Sequence, residues 1–96
     1  MDQDMLDKET AWKELVQSLT QTSDPELMDS FLKCLLTEYE IDEVAKRWAL
    51  VRLLDMGVSQ RTIAKTLGLS LCKITRGSKE LKKEKSAFAE MVKIHR

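Results

Sequence analysis

The sequence predicts an all-α fold of about six helices. Only three glycines and one proline occur among 96 residues, so few positions would interrupt a helix. Apolar residues make up 43% of the chain and recur at helical spacing along most of it. A chain of this length can bury one core, and no linker, repeat or low-complexity segment divides it. We therefore predict a single domain over residues 1–96.

Two helices are predicted in the N-terminal third. Residues 6–20 carry a moderately amphipathic pattern. A break follows, in which Ser23 or Asp24 can cap a second helix that has Pro25 in its first turn and runs to residue 36. Both helices, like the last one, carry broad apolar stripes that a monomer of this size would leave partly uncovered. We therefore expect a homodimer.

A third helix is predicted from about Thr37 to Met56. Glu40 stands three residues after Thr37, which is the spacing of a capping box. The last helix is predicted from about Glu84 to His95, where apolar residues again recur at helical spacing.

Between these two helices, residues 59–82 have the spacing of a central helix-turn-helix. Ser59 and Ser70 can each cap a helix N-terminus, and Gly68 lies where the chain must turn sharply. The apolar positions that would pack around this turn are Ile63, Ala64, Leu67, Leu69, Ile74 and Leu81.

Gly77 does not fit a plain helix-turn-helix. It lies in mid-helix one turn after Ile74, where a packing side chain is expected. Glycine there costs about 1 kcal/mol relative to alanine. The missing side chain suggests that another group occupies this space.

Charge is sorted along the chain although its net value is zero. Residues 1–45 hold three lysines against twelve acidic residues, a net charge of −9, whereas residues 46–96 have a net charge of +9. Residues 57–83 hold seven basic residues and one acidic residue. Such a chain usually turns its basic part toward a polyanion, and the helix-turn-helix spacing makes DNA the expected partner. Mutual attraction between two solvated halves is the alternative.

The sequence offers little to support catalysis. It has no Ser-His-Asp set, metal-ligand cluster or phosphate loop, so we expect no enzyme, no metal and no cofactor. Cys34 and Cys72 form no CxxC pair, and two reduced cytosolic thiols fit better than one bridge. The acidic N-terminus does not read as a signal peptide, and no apolar stretch is long enough to span a membrane. We expect a cytoplasmic protein without a membrane partner.

The second half contains four short motifs: SQR at 59–61, LG at 67–68, ITRGS at 74–78 and LK at 81–82. Together they resemble the bacterial tryptophan repressor family, as does Thr37 followed ten residues later by Arg47. The resemblance covers roughly residues 30–82. It implies an intertwined all-helical homodimer that binds L-tryptophan as corepressor and then binds operator DNA.

The resemblance also implies a ligand site. In the family the indole lies between two arginine side chains, which Arg47 and Arg76 match here. Arg76 would also hold the ligand carboxylate together with the Thr37 hydroxyl of the other subunit, and Gly77 would give the ring room. Guanidinium groups do stack on indole and pair with carboxylates. Alternatively, Arg76 only contacts phosphate, Lys46 replaces Arg47 in function, or Thr37 is only a helix cap.

The main-chain carbonyls of Cys34 and Leu36 would receive the ligand ammonium by the same resemblance. Glu80 stands where the family has a serine near that ammonium, so it either strengthens the contact or marks a different ligand. Two further departures concern DNA, since Lys73 replaces a threonine and Ala64 replaces a lysine that faces DNA.

Among the predicted DNA contacts, Arg61 is the residue most expected to contact a base directly, because arginine can bind guanine bidentately. Leu71, Cys72 and Thr75 would face base edges or bridging waters at the start of the second helix. Phosphate contacts are predicted for Gln60, Lys65, Lys73, Lys79 and Lys82. Two alternatives stay open: a repressor-like protein with a different ligand or none, and a helical protein-interaction module without DNA binding.

Overall fold

The computed structural model describes residues 6–95 and contains only α-helices in that range. Their bounds are α1 Lys8–Gln21, α2 Pro25–Leu35, α3 Glu38–Asp55, α4 Gln60–Leu67, α5 Leu71–Lys82 and α6 Ala87–His95. The prediction of an all-α fold with six helices is confirmed. Within the described residues, no helix is both long enough and apolar enough to cross a membrane.

The chain divides into two compact units, Met1–Glu38 and Tyr39–Arg96. The first unit contains α1 and α2, and the second contains α4, α5, α6 and nearly all of α3. Each unit is described separately, and the single domain over residues 1–96 stays a prediction.

Side-chain caps fix where the N-terminal helices begin. The Asp7 carboxylate accepts a hydrogen bond from the Thr10 N–H at 2.7 Å, which lowers the pKa of Asp7 below its ordinary value. Asp24, one of two predicted caps, accepts from the Glu26 N–H at 3.0 Å, and Pro25 opens α2 as predicted. Both starts therefore follow from local sequence.

The two N-terminal helices leave their apolar stripes open. No residue of α1 or α2 is buried. Trp12 is 66% exposed on α1, and Leu27 and Leu35 are about half exposed on α2. Helices with one broad apolar face normally bury that face against another element.

In the second unit, α3, α4 and α5 meet around a small core. Leu50 of α3, Ile63 of α4 and Ile74 of α5 are almost completely buried. Partly buried apolar residues pack against these three: Leu53, Leu54, Val58, Ala64, Leu67 and Leu69. The predicted packing positions Ile63 and Ile74 are thereby confirmed.

The turn between α4 and α5 has the predicted local chemistry. Ser59 and Ser70 cap the two helices, each accepting a hydrogen bond from the N–H three residues later, at 3.2 Å and 3.3 Å. Gly68 adopts a left-handed conformation with φ of +66°, which a residue with a Cβ adopts at a cost. These caps set the register of both helices.

The last helix begins later than predicted, at Ala87 rather than near Glu84. Lys85 has a φ of +45°, outside the helical region, so the chain turns there. Ser86 is 7% exposed, and its hydroxyl accepts a hydrogen bond from the Ala89 N–H at 3.1 Å. A serine cap therefore sets the start of α6.

Candidate functional site

A cavity of about 400 Å³ is lined mainly by α3 and α5 in the second unit. Each helix contributes residues three or four positions apart, which places them on one face. The α3 face supplies Glu43, Arg47, Leu50 and Val51; the α5 face supplies Lys73, Arg76, Gly77 and Glu80; Leu69 and Phe88 complete the lining. The volume lies within the roughly 300–1,000 Å³ typical of small-molecule sites.

The cavity brings together the four predicted ligand residues that belong to this unit: Arg47, Arg76, Gly77 and Glu80. The two arginines come from different helices, and both are exposed enough to meet a ligand from solvent. The Glu80 Oε1 lies 2.8 Å from Lys83 Nζ. The lining therefore offers cationic groups for a carboxylate, an anionic group for an amine and apolar walls for a ring.

Lys46, the alternative to Arg47, has a different environment. Its Nζ lies 3.0 Å from Asp42 Oδ2 one turn earlier on α3, and Lys46 is absent from the cavity lining. The hydrogen bond and charge of Asp42 raise the pKa of Lys46, with smaller contributions from the charges of Glu43 and Tyr39. Of these two residues, Arg47 alone lines the cavity.

Gly77 is where α3 and α5 come into close contact. A Cβ at this position would lie 3.0 Å from Leu50 Cδ2 and 3.9 Å from Leu54 Cδ1. Part of the space beside the glycine is therefore filled by Leu50, which itself lines the cavity. The absence of a side chain at Gly77 allows the two helices to pack closely, and the glycine also lines the cavity.

Sequence reasoning missed six lining residues: Glu43, Leu50, Val51, Leu69, Phe88 and, as a cavity residue, Lys73. The first three could have been found, because they lie four residues before, three after and four after Arg47 on one helix. Phe88 could not have been found in this way, because it belongs to α6 and sequence spacing does not show which residues of α6 lie near α3.

Cys34, Leu36 and Thr37 belong to the first unit. Cys34 lies in the last turn of α2, and Leu36 caps that helix, with its N–H donating to the Leu32 carbonyl at 2.9 Å. Both cysteines of the chain are free and exposed. Carbonyls at a helix C-terminus lack intrahelical partners, so they suit a cation. The ligand role of these three residues stays a prediction.

A second face of α5 carries predicted DNA contacts. A shallow groove there is lined by Leu71, Cys72, Thr75, Arg76 and Lys79. The remaining predicted contacts, Gln60, Arg61, Lys65 and Lys82, are exposed on α4 and at the end of α5. Arg76 borders both this groove and the cavity, so one side chain joins the two candidate sites.

Lys73 is placed differently from the other predicted phosphate contacts. Its Nζ lies 3.6 Å from Glu43 Oε2 on α3, and it lines the cavity rather than the outer groove. Lys73 therefore lies on the cavity side of α5, away from the groove that carries most of the other predicted DNA contacts of this helix.

Comparison with known proteins decides the family. The family model described as Trp repressor protein matches residues 10–96. The chain belongs to the Trp repressor family. Proteins of the Trp repressor family are regulators rather than enzymes, which agrees with the expectation from the motifs.

Curated relatives cover most of the chain. The Trp operon repressor homolog of Xylella fastidiosa (strain M23) is 35% identical over 77 residues, 79% of this chain and 84% of the relative. Those of Chlamydia caviae and Vibrio vulnificus (strain YJ016) are 34% and 36% identical, over 88% and 76% of this chain and 85% and 72% of the relatives. No solved structure matches this Trp repressor family member.

Proposed function

We propose that the protein is an L-tryptophan-dependent transcriptional repressor, cytoplasmic and acting as a single domain in each subunit of an intertwined homodimer. It binds operator DNA through a helix-turn-helix formed by α4 and α5. One observation carries the proposal: Arg47 of α3 and Arg76 of α5 line the same cavity. Two guanidinium groups suit a ligand that has both an aromatic ring and a carboxylate. Membership of the Trp repressor family supports the repressor class.

In this proposal, the ring lies between the two arginines and beside Gly77. Arg76 also pairs with the carboxylate, together with the Thr37 hydroxyl of a second copy. The ammonium is received by the main-chain carbonyls of Cys34 and Leu36 and by the carboxylate of Glu80, which borders the cavity.

The open faces of α1 and α2 support the homodimer. No residue of either helix is buried, and Trp12, Leu27 and Leu35 leave about half or more of their surface to solvent. Each Å² of apolar surface removed from water contributes about 25 cal/mol. A second copy that packs against these helices would therefore gain much of its stability there.

The outer groove of α5 is proposed to enter the major groove of DNA. Arg61 reads a base, Leu71, Cys72 and Thr75 face base edges, and Gln60, Lys65, Lys79 and Lys82 bind phosphates. Helix-turn-helix dimers, this family among them, place paired reading helices about 34 Å apart for successive major grooves. A homodimer would supply that pair.

The switch follows from the position of Arg76. A ligand held between Arg47 and Arg76 bridges α3 to α5, and Arg76 also borders the groove that is proposed to meet DNA. The ligand can favour repression only by binding the DNA-competent orientation of α5 more tightly than other orientations.

Calorimetric titration with L-tryptophan tests the cavity. The intact protein should bind with measurable heat, and Arg76→Ala should lose roughly 2–4 kcal/mol of binding free energy, a thirty- to thousand-fold loss of affinity. Arg47→Ala should lose the stacking part of that affinity. Lys46→Ala and Arg52→Ala are matched controls on α3, because neither residue lines the cavity. Absence of heat in the intact protein would refute the tryptophan site.

A different amine-bearing ligand is the second candidate. Glu43 and Glu80 both line the cavity, so a ligand with more than one cationic group is the alternative to a simple amino acid. Competition between L-tryptophan and aliphatic diamines in the same calorimeter distinguishes the two. A duplex shift that weakens with salt would argue against a mere protein-interaction module.

A further inference from the structure

An ion pair joins α3 to α5 at the edge of the cavity. Lys73 Nζ lies 3.6 Å from Glu43 Oε2, although the two residues are thirty positions apart in sequence. Other pairs, such as Lys46–Asp42, join residues one turn apart on the same helix and cannot relate one helix to another.

This pair runs parallel to the proposed ligand bridge. Glu43 lies four residues before Arg47 on α3, and Lys73 lies three residues before Arg76 on α5. Each step is about one helical turn, roughly 5.4 Å along the axis. The same two helices are therefore connected once by the ion pair and, when the ligand is bound, a second time by the ligand.

The surroundings of the pair make Glu43 the more important partner. The Glu43 side chain is 21% exposed, whereas that of Lys73 is 56% exposed. A mostly shielded carboxylate gains more from a nearby ammonium than an exposed one does, because water screens it less. Because one partner is open to solvent, the pair should change the equilibrium constant of any transition that breaks it by roughly two- to five-fold.

We propose that Glu43 is a positioning residue for the reading helix: through Lys73 it holds α5 in register with α3 before any ligand binds. The inference rests on the proposed function. It adds that α5 is already partly held in its DNA-competent orientation in the ligand-free protein. Lys73 then acts as a tether between helices rather than as a phosphate contact. The pair raises the DNA affinity of the ligand-free protein. It therefore lowers the ratio of DNA affinity with L-tryptophan to DNA affinity without it.

Duplex binding with and without L-tryptophan tests the tether. Glu43→Gln should weaken ligand-free binding two- to five-fold relative to Asp42→Asn and change saturated binding less, so that the ratio of the two affinities rises. Asp42→Asn is the matched control, because it makes the same charge change on the neighbouring residue and breaks a pair within α3. An unchanged ratio would overturn the inference. Tighter ligand-free binding than the control, with a steeper salt dependence, would also overturn it, because Glu43 would then be withholding Lys73 from phosphate.

A second experiment measures the interaction between Glu43 and Lys73 in the absence of DNA. Urea unfolding of wild type, Glu43→Gln, Lys73→Met and the double variant forms a cycle that isolates their mutual energy. The tether predicts a coupling worth a two- to five-fold change in the unfolding equilibrium constant, and zero coupling refutes it. A wild-type protein that binds no DNA would refute the proposed function, and this cycle would still decide the tether.

Discussion

Replacing Gly77 by alanine separates helix packing from ligand binding. The added methyl would lie 3.0 Å from Leu50 Cδ2, closer than ordinary van der Waals contact. Leu50 is 3% exposed and lines the cavity, so its side chain can yield only by moving against the core or into the cavity. Movement into the cavity reduces the room beside the two arginines, and the added methyl at the cavity edge reduces it as well.

The two energetic effects of this substitution oppose each other. Alanine is favoured over glycine in a helix by about 1 kcal/mol, whereas crowding a packed contact costs about 1–3 kcal/mol. The free energy of unfolding should therefore fall by no more than about 2 kcal/mol. A ligand ring competing for the same space has no compensating gain, so its affinity should fall roughly 5- to 150-fold.

Calorimetry with L-tryptophan and urea unfolding measure the two effects in one preparation. Gly68→Ala is the matched control: nothing lies within 4 Å of its added Cβ, but its φ of +66° strains a residue with a side chain. That variant should lose roughly 1 kcal/mol of stability and keep its ligand affinity. Wild-type ligand affinity in Gly77→Ala would show that the glycine is needed only for the close packing of α5 against Leu50 and not for ligand binding.

Three further predictions concern the ligand amine, the dimer and an N-cap. Glu80→Ser should weaken L-tryptophan binding about three- to ten-fold in calorimetry but leave binding of indole-3-propionate, which lacks the amine, unchanged; equal losses would contradict an ammonium contact. Phe31 lies four residues after Leu27 on α2 and is 38% exposed. Phe31→Glu should shift sedimentation from dimer to monomer, since it buries a charge in the proposed interface, whereas Gln17→Glu at an exposed polar position of α1 should not; a Phe31→Glu dimer would place the interface elsewhere. The lowered pKa of Asp7 means that its cap stabilises α1 fully above its ordinary value of 3.8 and is lost as pH falls through the lower folded value. The difference in helicity between wild type and Asp7→Asn, followed by circular dichroism, should therefore be constant above pH 3.8 and change only below it; a change near neutral pH would contradict this assignment.

Local sequence was enough to predict the helices because their ends depend on short-range chemistry. Asp24, Ser59 and Ser70 accept hydrogen bonds from N–H groups two or three residues later. Gly68 takes the left-handed conformation that the sharp turn requires. The predicted start of α6 was wrong because the prediction overlooked Ser86, which caps that helix as Ser59 and Ser70 cap theirs.

The candidate site was predictable only in part, because it depends on contacts between helices. Motif spacing identified Arg47, Arg76 and Glu80, which line one cavity. It could not show that the space at Gly77 meets Leu50, or that Lys73 pairs with Glu43 across two helices. Those contacts depend on how α3 packs against α5, which a single sequence does not encode locally.

The dependence of DNA affinity on L-tryptophan tests the proposed repressor function most directly. A labelled duplex selected from a random library by the wild-type protein can be titrated by fluorescence anisotropy, with and without saturating ligand. L-tryptophan should tighten binding of this duplex by roughly 5- to 150-fold. Arg47→Ala, which leaves α4 and α5 unchanged in sequence, should show a smaller increase and keep the salt-sensitive ligand-free affinity. Equal affinity with and without L-tryptophan in the wild-type protein would show that L-tryptophan is not its corepressor.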